Sequence, residues 1–240
     1  MTGAGRGIGR AIALELARGG TRVVVSDVDL ENAQAVAQEV QGLGCESLAI
    51  RVDVSSEAEV AQMLREAVER FARVDILVNN AGVVATGPVT EVTAETWDRT
   101  LAVNLKGVFL CSKAVFPLMI EQGDGRIINI ASVAGKRGGG LLGNSCYAAA
   151  KGGTIAFTKS LAREGGPYNI RVNAITPAVI KTDMLESLPE DKLQQIVRSL
   201  PLRRIGRPED VAAAVCFLAS DASAFITGEI MDVDGGLMMD

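Results

Sequence analysis

The stretch Thr2-Gly3-Ala4-Gly5-Arg6-Gly7-Ile8-Gly9 opens the chain, and apolar residues follow it at helical spacing through Ile12 and Leu16. Glycines ahead of a helix let backbone N–H groups approach a phosphate, and the positive end of the helix dipole favours its charge. The spacing is G-x-x-x-G-x-G, which differs from the G-x-G-x-x-G of many dinucleotide-binding loops. We interpret the stretch as a loop that binds a dinucleotide; a glycine-rich turn without a ligand is the alternative.

A short apolar strand follows the first helix, from Arg22 to Ser26, and ends at Asp27. A carboxylate about 20 residues after such a loop lies where it accepts hydrogen bonds from the ribose of an adenosine. The same carboxylate repels a 2′-phosphate, which favours NAD over NADP. Arg6 is a contrary signal, because a cation in the glycine loop can hold that phosphate. We therefore expect NAD as the cofactor, with NADP possible.

Strands and helices alternate along the rest of the chain. The predicted strands end at Asp27, Asp53, Asn79, Ala131 and Ile175, and a terminal strand covers 229–233. This alternation predicts an α/β fold: a Rossmann-like, doubly wound parallel sheet in three α/β/α layers, with the functional site at the carboxyl ends of the strands. The sequence shows no internal repeat and no linker, so we expect one domain over 1–240.

Composition excludes several classes of function. A net charge of −5 and a pI of about 5.0 argue against a nucleic-acid partner. The chain has no histidine, which excludes Ser-His and Cys-His catalysis and the common zinc sites, so we expect no metal. Four isolated cysteines without C-x-x-C indicate reduced thiols and a cytoplasmic location. We see no signal peptide and no uninterrupted apolar run near ~18 residues, and expect no membrane association.

A candidate catalytic motif lies in Ser145-Cys146-Tyr147-Ala148-Ala149-Ala150-Lys151, with Ser132 upstream. Tyr147 and Lys151 are four residues apart, so both side chains leave one face of a helix. A free phenol titrates near ~10, and an adjacent ammonium favours phenolate and lowers that pKa. Ser132 would then hold a substrate oxygen while Tyr147 exchanges its proton. The pair is weak evidence by itself, because a surface helix can carry Tyr and Lys at this spacing by chance.

Together these motifs resemble the short-chain dehydrogenase/reductase family over essentially the whole chain. The matching residues are Thr2-Gly3-x-x-x-Gly7-x-Gly9, Asp53, Asn79-Asn80-Ala81-Gly82, Asn104, Ser132, Tyr147-x-x-x-Lys151, and Pro177 with Thr182. The resemblance implies that Tyr147 is the general acid/base and that Ser132 positions the substrate oxygen. It implies that Lys151 binds the nicotinamide ribose and lowers the Tyr147 pKa, and that Asn104 holds a water linking Lys151 to solvent.

The resemblance also implies a set of cofactor-binding residues and an assembly. The cofactor set is Gly3, Arg6, Gly7, Ile8, Gly9, Asp27, Asp53, Val54, Asn80, Ala81, Gly82, Tyr147, Lys151, Pro177, Ile180 and Thr182. The segment between Thr182 and Leu202 would form a mobile lid, with Met184, Leu185 and Leu188 over the substrate. We expect a homotetramer.

Three departures from the family pattern bear on the site and the fold. Ala178 follows Pro177 where the family usually has Gly, so that turn must avoid a positive φ. Tyr147 comes fifteen residues after Ser132, two more than the commonest spacing, and the extra length falls in the glycine-rich segment 136–144. The family also begins with a buried strand of about six residues before the Thr-Gly motif, central between the strands ending at Asp27 and Asn79. Here only Met1 precedes Thr2, so we expect a truncated first strand: either the natural chain starts upstream, or the gap is filled in another way.

The expected substrate is a small alcohol or ketone. Family members that reduce acyl groups on an acidic carrier protein carry basic residues before the Ser132 strand and before the sixth strand, whereas this chain has 121–124 (EQGD) and 167–169 (PYN) there. We therefore expect an NAD(H)-dependent oxidoreductase that interconverts a secondary alcohol and a ketone. Arg137 is a candidate partner for an anionic substrate group, and an exposed glycine-rich loop with solvated charges is the alternative there. An NADPH-dependent 3-oxoacyl-(acyl-carrier-protein) reductase is the alternative. From another class, a non-catalytic dinucleotide-binding regulatory protein also remains, although such a protein would be expected to lose Tyr147, Lys151 or Ser132.

Overall fold

The computed structural model describes residues 1–139, 143–182, 185 and 189–239. Within them the strands are β1 Val23–Asp27, β2 Ser47–Arg51, β3 Ile76–Asn79, β4 Gly125–Ile130, β5 Ile170–Pro177 and β6 Ile230–Val233. The strands pair in parallel, β1 with β2 in one sheet and β3-β4-β5-β6 in the other. The carboxyl ends of the strands therefore share one edge, as expected for a doubly wound α/β fold.

Helices connect successive strands. They are α1 Gly7–Arg18, α2 Leu30–Gly42, α3 Glu57–Phe71, α4 Ala94–Leu101, α5 Gly107–Gln122, α6 Val133–Arg137, α7 Ser145–Gly165, α8 Glu190–Ser199 and α9 Pro208–Ala219. Local sequence sets where several of them begin. Ser56 accepts a hydrogen bond from the Glu59 amide at the start of α3, and Pro208 occupies the first position of α9 with two acids in the first turn.

Two apolar layers cover the two faces of the sheets. One contains Ile12 of α1, Val36 of α2, Val25 of β1 and Leu218 of α9. The other packs residues of α3, α5 and α7 against β3, β4 and β5, and Met119 and Ile127 are fully buried there. Burial on both faces explains the apolar strands and the mean hydropathy of +0.24. The predicted three-layer α/β fold is confirmed.

Residues 1–4 lie centrally, between β1 and β3. Ser26 N donates to Met1 O and Ala4 N donates to Ser26 O, while Thr2 N donates to Val78 O, at 3.0–3.1 Å. These bonds join the two sheets only near the carboxyl ends of their strands. Beyond Met1, a cavity of about 370 Å³ separates β1 from β3. Its lining includes Val24, Met63, Phe71, Leu77 and Val115. Arg22, Arg73 and Asp75 also line it, so the described part of the molecule has a partly apolar gap where the predicted order places a central strand.

The helical segment Ala94–Gln122 corrects the expectation that the chain has no apolar stretch long enough to span a membrane. It is 29 residues long with a mean hydropathy of 1.5 in its most apolar window, enough for a membrane span by length and composition alone. Half of that window is buried inside the fold, where Leu110, Val115 and Met119 belong to the apolar layer over β3, β4 and β5. The buried half of the window therefore belongs to the core of the fold, and a search for uninterrupted apolar residues overlooks the segment because polar side chains interrupt it.

Candidate active site

The glycine loop is shaped for close backbone approach. Gly3 and Gly7 have φ of 59° and 54°, in the left-handed region that glycine adopts without strain. A Cβ on Gly3 would lie 2.7 Å from the Ala81 Cα, and one on Gly9 would overlap the Gly3 carbonyl oxygen. Helix α1 begins at Gly7 and has no acidic residue in its first turn. The loop therefore presents free N–H groups and the positive end of a helix to an anion, which fits the diphosphate of a dinucleotide.

A groove of about 580 Å³ runs from this loop along the carboxyl edge of β1, β2 and β3. It brings together these predicted cofactor residues: Gly3, Arg6, Gly7, Ile8, Gly9, Asp27, Asp53, Val54, Asn80, Ala81, Gly82 and Thr182. The other predicted residues, Tyr147, Lys151, Pro177 and Ile180, line an adjoining cavity of about 180 Å³. The groove and the cavity share Ile8, Asn80, Gly82 and Thr182. One elongated ligand can therefore reach from Asp27 to Tyr147.

Asp27 is fixed at the outer end of the groove. Its Oδ2 accepts a hydrogen bond from Gly5 N at 2.9 Å and its Oδ1 accepts one from Asp29 N at 3.1 Å. Each carboxylate oxygen keeps a lone pair for another donor, such as a ribose hydroxyl. Arg6 is exposed and also lines the groove. A carboxylate that disfavours a 2′-phosphate and a cation that could bind one therefore both face the groove.

Arg99 of α4 is a groove residue that the sequence analysis missed. It lies opposite Asp53, whose pKa is lowered first by hydrogen bonds from the Ser55 hydroxyl and amide and further by the charge of Arg99. Arg99 is exposed on an amphipathic helix, and no local pattern distinguishes it from other solvated arginines. Only the packing of α4 against α7 and the turn that follows it places Arg99 over the groove.

Ser132 and Tyr147 meet at the base of the smaller cavity. Ser132 caps α6 by accepting a hydrogen bond from Ala134 N at 3.1 Å, and its hydroxyl is close enough to the Tyr147 phenol to favour the phenolate. Asn144 caps α7 by accepting the Tyr147 amide at 3.3 Å. Both catalytic candidates are therefore oriented by a helix start. A carbonyl oxygen placed in the cavity would find two adjacent hydroxyl groups.

The electrostatics of the Tyr–Lys pair correct the sequence-based expectation. The pKa of Tyr147 is raised, because burial disfavours the phenolate more than the Ser132 hydroxyl favours it. Lys151 Nζ lies 5.8 Å from the centroid of the Tyr147 ring and donates to the Ile130 carbonyl at 2.7 Å. Burial lowers the pKa of Lys151 to about 8. The expected lowering of the Tyr147 pKa by Lys151 is therefore absent from this geometry.

Asn104 lies in a π-helical turn, Ala102–Lys106, between α4 and α5. Its Oδ1 accepts from Val83 N at 3.1 Å, and its Nδ2 donates to the carbonyls of Val83 at 2.8 Å and Thr100 at 3.0 Å. Asn104 thus holds the chain after β3 in place. The water that Asn104 was expected to bind stays a prediction.

The structure describes Ala178 and part of the segment 136–144, two of the departures from the family pattern. Ala178 has no positive φ, as expected for a residue other than glycine at that turn. Gly139 and Gly143 line the smaller cavity, whereas Arg137 is exposed and is absent from the described lining. Leu185 lines the cavity, and the other predicted lid residues, Met184 and Leu188, lie outside the described residues.

The chain is similar to known proteins along nearly its whole length. A family model described as enoyl-(acyl carrier protein) reductase matches residues 3–238. A 3-oxoacyl-(acyl-carrier-protein) reductase of Synechocystis sp. is 44% identical over 241 residues, which cover 100% of this chain and 96% of the relative. A relative of the same name from Thermotoga maritima is 39% identical over 239 residues, with 100% and 96% covered.

Solved structures share the fold but differ in the substrates that their names give. Levodione reductase superposes with a TM-score of 0.93 at 37% identity, and the match covers 98% of this chain and 95% of that one. NAD⁺-bound xylitol dehydrogenase superposes with a TM-score of 0.94 at 35% identity, with 98% and 96% covered. The similarity thus extends to one protein named as a reductase and to another named as a dehydrogenase.

Proposed function

Because the chain belongs to the short-chain dehydrogenase/reductase family, whose members interconvert CH–OH and carbonyl groups, we propose that it reduces the 3-oxo group of an acyl thioester with NADH. The observation that carries the proposal is the Ser132–Tyr147 pair at the base of a cavity with mostly apolar walls. Curated relatives at 39–44% identity named 3-oxoacyl-(acyl-carrier-protein) reductase support the thioester. They favour this alternative over the simple alcohol that we expected from the sequence.

The cavity suits a carbonyl on a hydrocarbon chain. Its walls include Val84, Val133, Ala134, Val179 and Leu185. Lys151 is the charged residue in the described lining, and it is 4% exposed and bonded to a backbone carbonyl. An ionised group on the reacting part of the substrate would lose its hydration here without a partner. Neutral acyl chains are therefore the better occupants.

The dinucleotide would lie along the groove, with its diphosphate on the glycine loop and its adenosine ribose at Asp27. Lys151 and Thr182 would hold the nicotinamide end, since they line the adjoining cavity beside Tyr147. When bound, the nicotinamide supplies the hydride. NAD(H) is proposed because Asp27 remains at the position where a 2′-phosphate would have to be accommodated, and the NAD⁺-bound neighbour is consistent with this choice.

The protein's own contribution is orientation and proton transfer. Ser132 donates a hydrogen bond to the substrate oxygen and keeps its proton, while Tyr147, whose raised pKa keeps it protonated, transfers the phenolic proton to the same oxygen as charge develops there. Lys151, whose Nζ lies 5.8 Å from the centroid of the Tyr147 ring and whose pKa is about 8, is the group placed to supply the next proton to the site near neutral pH. In the reverse direction Tyr147 accepts the proton of the alcohol.

A second candidate function is the oxidation of a small secondary alcohol. A specific observation favours it: the surface near 121–124 offers little free positive charge for an acidic carrier protein. Arg126 there is paired with Asp124 and, at 2.9 Å, with Asp221. Tyr168, in the other segment where carrier-protein reductases are basic, is exposed and uncharged.

One assay separates the two functions. The acetoacetyl group would be offered on an acyl carrier protein, on coenzyme A and on pantetheine, and compared with xylitol and a cyclic diketone, each with NAD(H) and NADP(H). We expect the highest kcat/KM for a thioester with NADH, and at least a tenfold preference over NADPH, equivalent to ~1.4 kcal/mol. Faster turnover of the polyol would reject the thioester, and a preference for NADPH would show that Arg6 outweighs Asp27. The Tyr147→Phe variant is the control for enzyme-catalysed turnover.

A further inference from the structure

Two side chains bond backbone carbonyls in and beside the π-helical turn 102–106. An extra residue in a helical turn interrupts the regular i→i−4 ladder, and buried carbonyls must then find other donors. Asn104 Nδ2 donates to Thr100 O at 3.0 Å, and Thr154 Oγ1, from the neighbouring helix α7, lies 3.1 Å from Asn104 O. Asn104 and Thr154 are both fully buried.

The position of Asn104 controls the floor of the active site. Its side-chain amide bonds both backbone polar groups of Val83, and the next residue toward β3 is Gly82, which lines the groove and the smaller cavity. A Cβ on Gly82 would lie 2.7 Å from Asn104 Oδ1 and 3.7 Å from Lys151 Nζ. A small shift of the π-turn would therefore move the chain that faces the nicotinamide end.

Helix α7 ties this turn to the catalytic candidates. Tyr147, Lys151 and Thr154 lie on α7 at spacings of four and three residues, so they share one face. Thr154 has one hydroxyl proton and two carbonyl acceptors at 3.1 Å, Asn104 O and Ala150 O. The Ala150 bond is internal to α7, whereas the Asn104 bond joins two elements. The inter-element bond fixes the π-turn relative to the helix that carries Tyr147 and Lys151.

We propose that Thr154 is a positioning residue whose hydroxyl holds the π-turn, and through Asn104 the segment 82–83, in register with Tyr147 and Lys151. It acts through Asn104 and lines neither the groove nor the smaller cavity. The kinetic part of this inference rests on the proposed function, whereas its structural part concerns the protein without substrate.

The test compares Thr154→Val, which keeps the shape and removes the hydroxyl, with Thr154→Ser, which keeps the hydroxyl. The matched control is Thr158→Val, one turn further along α7. Thr158 is equally buried and its hydroxyl donates to Thr154 O at 2.8 Å and accepts from Asn129, away from the π-turn. Melting temperature, the NADH dissociation constant, hydrogen exchange of the Val83 amide, and the pH dependence of kcat are measured for all three variants.

We expect Thr154→Val to speed Val83 exchange at least tenfold, to weaken NADH binding several-fold and to lower kcat at least tenfold with an altered pH profile. Thr154→Ser should return the Val83 exchange rate, the NADH affinity and kcat to near the parent values. Thr158→Val should lower the melting temperature while leaving them unchanged. Equal Val83 exchange in Thr154→Val and Thr158→Val, or no rescue by Ser, would overturn the proposal. If the parent protein fails to reduce any thioester, the proposed function fails, while Val83 exchange and NADH binding still decide the role of Thr154.

Discussion

At the scale of single residues, the protonation state of Tyr147 sets the direction of proton transfer. Its pKa is raised mainly by burial, so the phenol stays protonated through neutral pH and can donate. We expect kcat/KM for ketone reduction to be flat near neutrality and to fall at alkaline pH. Alcohol oxidation, which needs the phenolate, should rise with pH over the same range.

Tyr147→Phe should remove this proton while keeping the ring. We expect turnover to fall by roughly 100- to 10,000-fold, the usual contribution of a positioned acid, with the NADH dissociation constant within about threefold of the parent. Initial rates and fluorescence titration measure the two effects. Retention of most activity would mean that Ser132 or a water supplies the proton.

Burial of Lys151 lowers the free energy of unfolding, and we expect the size of this effect to depend on pH. Its folded pKa is about 8 against 10.5 for the free side chain, so between those values the unfolded chain binds more protons and stability rises with pH. Lys151→Met should therefore stabilise the protein by about 1–3 kcal/mol at pH 7, less the lost bond to Ile130, and abolish activity. Urea unfolding at pH 7 and pH 10.5 should show the gain shrinking. Lys159→Met, an exposed position on the same helix, should show no such trend.

At the scale of elements, spacing along the chain predicted which residues meet. The Tyr147–Lys151 face, the glycine loop and the strand-end residues Asp27, Asp53 and Asn80 depend on local periodicity and on the shared edge of a parallel sheet. The π-turn could not be predicted, because one inserted residue hardly changes an apolar helical pattern. The raised Tyr147 pKa and the placement of Arg99 were also missed, since both arise from packing between distant segments.

The segment between α6 and α7 shapes the cavity through Gly143. A Cβ there would overlap the Tyr147 ring edge and lie 2.9 Å from its Cγ. Gly143→Ala should displace the ring and lower kcat at least tenfold with little loss of melting temperature. Gly42→Ala, where a Cβ meets nothing within 4 Å, is the matched control and should leave kcat unchanged. Parent-like kcat for Gly143→Ala would show that the ring tolerates the shift.

At the scale of the whole molecule, exposed aromatic residues suggest self-association. Phe109 on α5 and Phe157 on α7 form an edge-to-face pair at 6.3 Å, and Phe109, Phe217 and Phe225 are exposed in the isolated chain. We expect these surfaces to be covered in a homotetramer. Light scattering coupled to gel filtration measures the mass, and a stable monomer at micromolar concentration would contradict the expectation.

The partly apolar gap between β1 and β3 predicts a second whole-molecule effect. An extension of about five apolar, β-branched residues placed before Met1 should bury side chains at ~1.5–3 kcal/mol each, partly offset by ~1–2 kcal/mol per residue of lost backbone entropy. We expect a rise in melting temperature of roughly 5–15 °C and tighter NADH binding. An extension of the same length made of Gly and Ser should do neither. Equal melting temperatures for the two extensions would show that the gap does not accept a strand.

The gap between β1 and β3 also affects the two walls of the cofactor groove. Its outer wall, with Asp27 and Asp53, follows the two-stranded sheet, whereas its inner wall, with Asn80 and Gly82, follows the four-stranded sheet. Residues 1–4 are the described backbone link between these walls in the plane of the sheet. In the plane of the sheet the two walls are therefore linked near the carboxyl ends of their strands, while the apolar layers above and below hold the two sheets together. A dinucleotide that contacts both walls would link the two sheets a second time. Its binding affinity would then depend on how firmly the two sheets are held relative to each other.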